Sequence, residues 1–361
     1  MRQTGIAQLP LHRGKAPAWL FQRMVRLGRE ITRLIIENDG PQAFLQRIAD
    51  PYWLQSLGCV LGFDWHSSGV TTTVCGALKE GLKGREKEFG LIIAGGKGAT
   101  SRKTPGEIIA AGERYPLNCS PDALVYLSRL TAKIDNNAIQ DGFQLYHHSF
   151  FFTFDGSWAV VQQGMNERFA RRYHWFSEAV QTMTLEPHAA ICSNLQKERA
   201  LNLVALDSQP AQLMITDLSH ERPEKLIGEV QRLQTLSLPV HHQVSLSDIH
   251  PKSIEKILLK TYERKSKNFE DLLSTPGVGA KTLRALTLIA DLAYGTPASW
   301  RDPVKFSFAH GGKDGYPYPV DRELYDDSVE FLRRTLERAR IQRTEKENAL
   351  KRLQRLFASQ N

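Results

Sequence analysis

The sequence has little cysteine and no hydrophobic run long enough to cross a membrane. Its four cysteines, Cys59, Cys75, Cys119 and Cys192, show no CxxC spacing, which argues against a zinc ribbon. The apolar stretches near positions 20 and 34 are interrupted by arginines, and neither a run of about 18 apolar residues nor a signal-peptide pattern occurs. We therefore expect a cytoplasmic protein with reduced thiols and no membrane partner.

Two common phosphate-binding motifs are also missing. The stretch LIIAGGKGATSRKTP, residues 91–105, predicts a short buried strand that runs into a glycine-rich loop. It matches neither the P-loop pattern of nucleotide-binding proteins nor a dinucleotide fingerprint. Its basic residues, Lys97, Arg102 and Lys103, still suit a phosphate, and the alternative is a simple flexible turn.

The chain carries more basic than acidic side chains. It has 47 Lys and Arg against 39 Asp and Glu, a net charge of +8 and an isoelectric point near 9.3. This balance favours a polyanionic partner, and nucleic acid and an acidic membrane surface are the two alternatives. With 361 residues, of which 41 % are hydrophobic, the chain is long enough for two globular domains.

The stretch DLLSTPGVGAKTLRALTLIADLAYGTPASWRD, residues 271–302, predicts a helix, a tight turn and a second helix. Gly277 and Gly279 permit left-handed backbone dihedrals, so that amide N–H groups at the start of the second helix can face a ligand. Lys281 and Arg284 add positive charge beside them. The stretch therefore predicts a phosphate site, with a plain helical turn as the alternative.

The segment TPGVGAKT resembles the hairpin of the helix-hairpin-helix DNA-binding motif, which holds the phosphate backbone without reading bases. The resemblance implies that DNA is bound by Gly277, Val278, Gly279, Lys281, Thr282 and Arg284.

DNA glycosylases of the same superfamily have a lysine in the hairpin and an aspartate after an Ala-aromatic-Gly-x-Pro segment. Here Lys281, the segment 293–297 and Asp302 are similar to that pattern, which implies a lysine nucleophile with an aspartate as its helper. Some members also carry an iron–sulfur cluster. No cysteine follows Cys192 in this chain, so that cluster is excluded.

The densest group of polar side chains lies between residues 135 and 175. The pattern predicts a β-hairpin with strands 143–154 and 158–163, joined by an Asp-Gly turn. Asp141, His147 and Gln162 are candidate catalytic residues. His147 and His148 are adjacent and must face opposite sides of a strand, so only one of them shares a face with a given partner. The alternative is a hydrogen-bonded core.

A second polar cluster precedes the β-branched run from Val70 to Val74, which predicts a strand. Asp64 and His66 are its candidate catalytic residues. The candidate ligands of a divalent cation are Asp141, His147, Glu186 and His188. Hard oxygen ligands with an imidazole suit Mg²⁺ or Mn²⁺, whereas zinc favours more His or Cys. Further candidate DNA contacts are Arg171, Arg172, His310 and Lys313.

The chain changes its pattern near residue 205. Strand-like runs before about residue 195 predict a mixed α/β (α+β) domain over residues 1–205, although residues 194–207 look helical. Helical spacing afterwards predicts an all-α DNA-binding domain over residues 222–361, with the helix-hairpin-helix at 271–293. Residues 323–357 predict one long charged helix, through which the protein could form a homo-oligomer.

Several phrases along the chain, among them FDWHSSGVTTTVCGALKEGL, AIQDGFQLYHH and DPVKFSFAHGGKDG, resemble an uncharacterised prokaryotic family known as domain of unknown function 763. The resemblance spans almost the whole chain and implies no activity. Three functions therefore compete: a metal-dependent nuclease delivered to DNA, which we favour, a glycosylase or abasic-site lyase that uses Lys281 and Asp302, and a non-catalytic DNA-binding protein. All three bind DNA.

Overall fold

The computed structural model describes residues 16–63, 67–193, 199–235, 249–304 and 322–358. The helices are α1 Ala18–Ala49, α2 Pro51–Leu61, α3 Gly69–Leu82, α4 Glu86–Phe89, α5 Thr104–Arg114, α6 Pro121–Lys133, α7 Gln209–Leu218, α8 Pro223–Thr235, α9 Pro251–Arg264, α10 Phe269–Ser274, α11 Ala280–Tyr294, α12 Arg322–Arg338 and α13 Arg343–Ala358. The strands are β1 Leu91–Lys97, β2 Ile139–Gln140, β3 Gln144–Thr153, β4 Trp158–Met165, β5 Ala170–Phe176, β6 Ala190–Cys192 and β7 Leu201–Asn202. The predicted mixed α/β class is confirmed.

A five-stranded antiparallel sheet lies at the centre, in the order β1-β3-β4-β5-β6. Its β3–β4 hairpin is the one that the Asp-Gly signal predicts, and Gly156 in the turn has a φ of 94° that favours glycine. His148 lies opposite Gln162 in the β3–β4 pairing, with a register shift between Leu145 and His147. A small second sheet pairs β2 with β7.

Side chains alternate between the two faces of the five-stranded sheet, and each face has its own apolar cluster. We call the face with Phe150, Phe152 and Trp175 the first face; helices α5 to α11 contribute to its cluster. We call the face with Phe151 and Val161 the second face; helices α1 to α3, α12 and α13 contribute to its cluster. The first-face cluster therefore draws on both sides of the boundary that two separate domains require, and that division stays a prediction.

Three predicted elements are wrong. The β-branched run at 70–74 lies in α3, because Val70, Val74 and Leu78 are spaced to bury one side of a helix against α1, and this packing overrides strand propensity. Within residues 199–207 the chain forms β7 and the start of a short 3₁₀ turn rather than a helix. The long C-terminal helix is divided into α12 and α13 by residues 339–342.

Helix α1 bends where Gly40 precedes Pro41. Gly40 has a φ of 85° and a ψ of 168°, outside the helical region, and Pro41 cannot donate a helical hydrogen bond. Within the described ranges, no helix is both long and apolar enough to cross a membrane.

Candidate functional site

A cleft of about 190 Å³ opens on the first face, beside the start of β3. Its walls come from the residues that follow β1, the first turn of α5, the middle of α6 and the β3–β4 pair. The described residues that line it include no carboxylate: Ser101, Arg102, Thr104, Pro105, Ser128, Arg129, Ala132, Leu145, Tyr146, His147, His148 and Gln162. Arg102 and Arg129 are exposed at its edge, so the cleft suits an anion.

Gly95 brings the basic loop against the cleft. A β-carbon at this position would lie 2.2 Å from the carbonyl oxygen of His148 and 2.6 Å from Thr104 Oγ1, and φ is 90°. Only glycine therefore permits this approach of β1 to β3. The chain then turns into a 3₁₀ segment, Gly98–Lys103, that leads into α5 and leaves Lys97, Arg102 and Lys103 exposed. The placement of these three residues is compatible with the predicted phosphate contact.

A chain of hydrogen bonds runs from the cleft into the first-face interior. Ser128 Oγ lies 2.8 Å from His148 Nε2, and His148 Nδ1 lies 2.9 Å from Gln162 Oε1. Gln162 Nε2 donates to Asp135 Oδ2 over 2.6 Å. Both His148 and Gln162 lie on the face that α6 covers, which is why Ser128 of that helix can reach them. Burial lowers the pKa of His148 to about 4.

Asp135 anchors this chain at its buried end. It lies in a π-helical turn, Ile134–Ala138, that follows α6, and it is 0 % exposed. Trp175 Nε1 donates to Oδ2 over 3.0 Å, and His188 Nε2 lies 2.5 Å from Oδ1. Burial raises the pKa of Asp135, and the neighbouring His188 opposes that rise. Asp135 therefore orients three side chains at once.

A second buried network holds Arg171 between two carboxylates. Arg171 donates to Asp141 Oδ2 over 2.9 Å and to both oxygens of Asp302 over 2.9 and 2.8 Å. Tyr173 Oη also donates to Asp141, over 2.7 Å. Arg171 is 0 % exposed, so the prediction that it contacts DNA is wrong: its charge is needed in the interior to balance the carboxylates.

The second face has its own polar end. Arg172 is also 0 % exposed and donates to Thr71 Oγ1 over 2.7 Å and to Gln55 Oε1 over 2.9 Å, so it too is not the surface DNA contact that we predicted. His147 lies 3.0 Å from Ser149 Oγ through its Nε2, and burial lowers its pKa to about 3. His147 and His148 thus contact different faces, as the alternation predicts.

The predicted metal ligands are not brought together. His188 is bound to Asp135 and Asp141 to Arg171, while the backbone N–H of Glu186 donates to Val204. Over the described ranges, no three His, Cys, Asp or Glu side chains form a group that could hold a metal ion. The predicted residues Asp64, His66, His310 and Lys313 lie outside the residues that the structure describes.

Residues 275–279 join α10 to α11 in a tight turn, as the sequence predicts. Gly277 has a φ of 97° and is exposed, as is Lys281. Val278 and Thr282 are only 2 % and 1 % exposed, so their side chains pack in the interior, and the DNA contact at these positions stays a prediction.

Lys133 of α6 and Gln140 of β2 hold the turn in place. Lys133 Nζ donates to the carbonyl oxygens of Leu273 and Thr275 over 2.7 and 2.8 Å. Arg284 Nε donates to Gln140 Oε1 over 2.9 Å. The turn is therefore fixed directly behind α6.

Two residues of the cleft network, Ser128 and Asp135, are not among the residues predicted from the sequence. Ser128 lies within an amphipathic helix without any motif around it, so no local signal marks it. Asp135 opens the polar stretch 135–175, but its partners Trp175 and His188 lie 40 and 53 positions away.

The family model described as Protein of unknown function (DUF763) matches residues 5–320, and the chain belongs to this family. No curated protein and no solved structure matches the chain.

Proposed function

We propose that this member of the family is a DNA-processing enzyme that holds the phosphate backbone of DNA along one surface and cleaves a phosphodiester in the cleft beside α6. The observation that carries the proposal is the chemistry of the cleft: its described lining includes the exposed Arg102 and Arg129, the hydrogen-bonded pair Ser128 and His148, and no carboxylate. A negatively charged ester is therefore favoured over a cationic or apolar ligand.

The surface extends from the basic loop to the turn at 275–279. Leu145, which lines the cleft, donates its backbone N–H to Asn136 Oδ1 over 3.2 Å. The next residue, Asn137, lies beside Gly279, since a β-carbon there would be 3.9 Å from Asn137 Oδ1. The cleft and the turn are thus separated by one short segment, and a single DNA strand can contact both.

The lyase remains a second candidate because Lys281 is exposed on the first turn of α11. Its proposed helper is less suited to the task, since both oxygens of Asp302 accept from Arg171 in the interior. A divalent cation, Mg²⁺ or Mn²⁺, stays a prediction from the sequence, since the described lining of the cleft offers no carboxylate to hold one.

The proposal is tested by DNA binding and cleavage with the full chain. We expect binding to labelled DNA to weaken steeply with salt, because the contacts are to phosphates and release counterions. Gly277→Val should weaken binding at least tenfold and equally for unrelated sequences, since its φ of 97° suits glycine. Gly228→Ala is the matched control, because Gly228 lies in α8 with nothing within 4 Å of an added β-carbon.

Cleavage assays separate the two enzymes. A nuclease should cut intact DNA, and adding Mg²⁺, Mn²⁺ or EDTA shows whether a cation is needed. A lyase should cut abasic DNA only, lose that activity in Lys281→Ala, and be trapped on DNA by borohydride. Binding that does not respond to salt, or that is unchanged in Gly277→Val, would overturn the proposed surface.

A further inference from the structure

We propose that Ser128 is the nucleophile of the cleft and His148 its general base, with Gln162 and Asp135 as positioning residues. The inference rests on the proposed function for its substrate class, a phosphodiester. The geometric evidence for it does not depend on that function. This evidence is the series of hydrogen bonds from Ser128 to Asp135, which connects the cleft to the interior.

This series of hydrogen bonds fixes the orientation of the Gln162 amide. Asp135 Oδ2 accepts from Trp175 Nε1, which can only donate, and Oδ1 lies 2.5 Å from His188 Nε2, so both oxygens face ring nitrogens that can donate. The Gln162 atom at 2.6 Å from Asp135 Oδ2 must then be the NH₂ group, since an amide oxygen would be repelled. The Gln162 oxygen is left facing His148.

That orientation in turn fixes the tautomer of His148. An amide oxygen accepts a hydrogen bond, so His148 carries its proton on Nδ1. Nε2 then has a lone pair, and the Ser128 hydroxyl, 2.8 Å away, donates to it. This is the arrangement of a nucleophile, its base and the group that orients the base.

Burial supports the same protonation state. His148 is only 6 % exposed, and its imidazole is neutral near pH 7 because desolvation disfavours the cation. A neutral imidazole can accept the Ser128 proton, whereas an imidazolium cannot. The exposed Arg102 and Arg129 at the edge of the cleft are suited to balance the negative charge of the ester that Ser128 would attack.

The proposed reaction consumes the phosphodiester and one water molecule and needs no other reactant. Ser128 Oγ forms a bond to phosphorus while its proton moves to His148 Nε2, and the bond from phosphorus to the leaving oxygen breaks. The leaving oxygen takes the proton from His148 Nε2 and departs as an alcohol. Water then gives a proton to His148, attacks the phosphoserine ester and restores the Ser128 hydroxyl with the same proton.

The test uses a fluorophosphonate reagent, which phosphonylates nucleophilic serines and releases fluoride, on the full chain without DNA. Mass spectrometry of the digest should find the label on Ser128, and Ser128→Ala should lose it. His148→Gln should slow labelling at least a hundredfold, in line with the loss of a general base. Ser219→Ala is the control: Ser219 follows α7, lies outside the lining of the cleft and donates to Thr216 O, so its removal should leave labelling unchanged.

A second measurement follows the positioning residues and does not depend on reactivity. ¹⁵N NMR of the His148 ring should show a protonated Nδ1 and an unprotonated Nε2 between pH 6 and 8. Gln162→Met should convert this state to a mixture of the two His148 tautomers and slow labelling at least tenfold. Urea unfolding of the variant is the control, and the two effects should appear even where the unfolding midpoint is unchanged.

The outcomes distinguish this inference from the proposed function. Absence of label on Ser128, labelling that survives His148→Gln, or a protonated Nε2 in the unaltered protein would each overturn the nucleophile, while salt-dependent DNA binding could still hold. Labelled Ser128 in a protein that fails to bind DNA would keep the nucleophile and reject the DNA substrate.

Discussion

The two faces of the central sheet are alike in their apolar parts and differ at their polar ends. Phe150 on the first face and Phe151 on the second are both fully buried within their own clusters. Yet Arg171 on the first face is paired with two carboxylates, whereas the described hydrogen bonds of Arg172 on the second go to Thr71 and Gln55, which are neutral.

This difference shows what neighbouring residues on one strand can do. Two adjacent arginines have equal intrinsic chemistry, and the strand alternation alone sends them to different surroundings. On the first face, Arg171 pairs with Asp141 and with Asp302, which lies 131 positions further along the chain. On the second face, Arg172 is buried beneath the N-terminal helices that supply Thr71 and Gln55.

The largest effect should come from removing the cover of the first face. A chain that ends at residue 205 lacks α7 to α11 of the first-face cluster and also α12 and α13 of the second-face cluster, but retains α1 to α3 on the second face. We expect it to lose cooperative urea unfolding, followed by circular dichroism. Separate cooperative transitions for residues 1–205 and 222–361 would instead support two independent domains.

The next largest effect should come from Arg171→Met. It leaves Asp141 and Asp302 buried without their counter-charge, and we expect a loss of about 3–5 kcal/mol in the free energy of unfolding by urea. Adding Asp141→Asn and Asp302→Asn should recover part of that loss, because the uncompensated charges are gone. Arg333→Met removes only exposed ion pairs, which solvent screens, and should change stability far less. Equal losses in the two arginine variants would contradict the paired first face.

The smallest effect at neutral pH should come from the buried histidines, because their contribution changes only as the pH falls below 6.5. Burial lowers the pKa of His147 on the second face from 6.5 to about 3. Below pH 6.5 the unfolded chain binds a proton there that the folded protein does not, so stability is full above pH 6.5 and falls towards pH 3. His147→Gln should remove a slope of up to about 1.4 kcal/mol per pH unit, measured by urea unfolding between pH 3 and 7.

His148→Gln is the matched first-face variant. Its removed slope should end near pH 4 rather than pH 3, in line with the smaller depression of its pKa. Identical pH profiles for the unaltered protein and both variants would show that neither histidine is buried in its neutral form.

Local signals in the sequence sufficed for part of this fold. The Asp-Gly turn and the alternation around it predict the β3–β4 hairpin, and the glycines at 277 and 279 predict the turn before α11. The β-branched run at 70–74 predicts a strand but lies in a helix, because β-branched residues fit a helix well enough when one side of it is buried.

The candidate site was less accessible to such reasoning. Basic residues are usually exposed, so Arg171 was predicted as a DNA contact. Its two acidic partners lie 30 and 131 positions away, and no local pattern reports such contacts. The role of Ser128 depends on the β3–β4 register, which places His148 opposite Gln162 and is not visible in the sequence around Ser128.

Helix α6 sets a distance between two parts of the proposed DNA surface. Ser128 lines the cleft, and Lys133, five positions later on the same helix, holds the carbonyl groups that precede the turn at 275–279. A helix rises about 1.5 Å per residue, which separates the two positions by about 7.5 Å along its axis. Within the proposed function, α6 therefore keeps a fixed spacing of about 7.5 Å along its axis between the wall of the cleft and the residue that holds the turn.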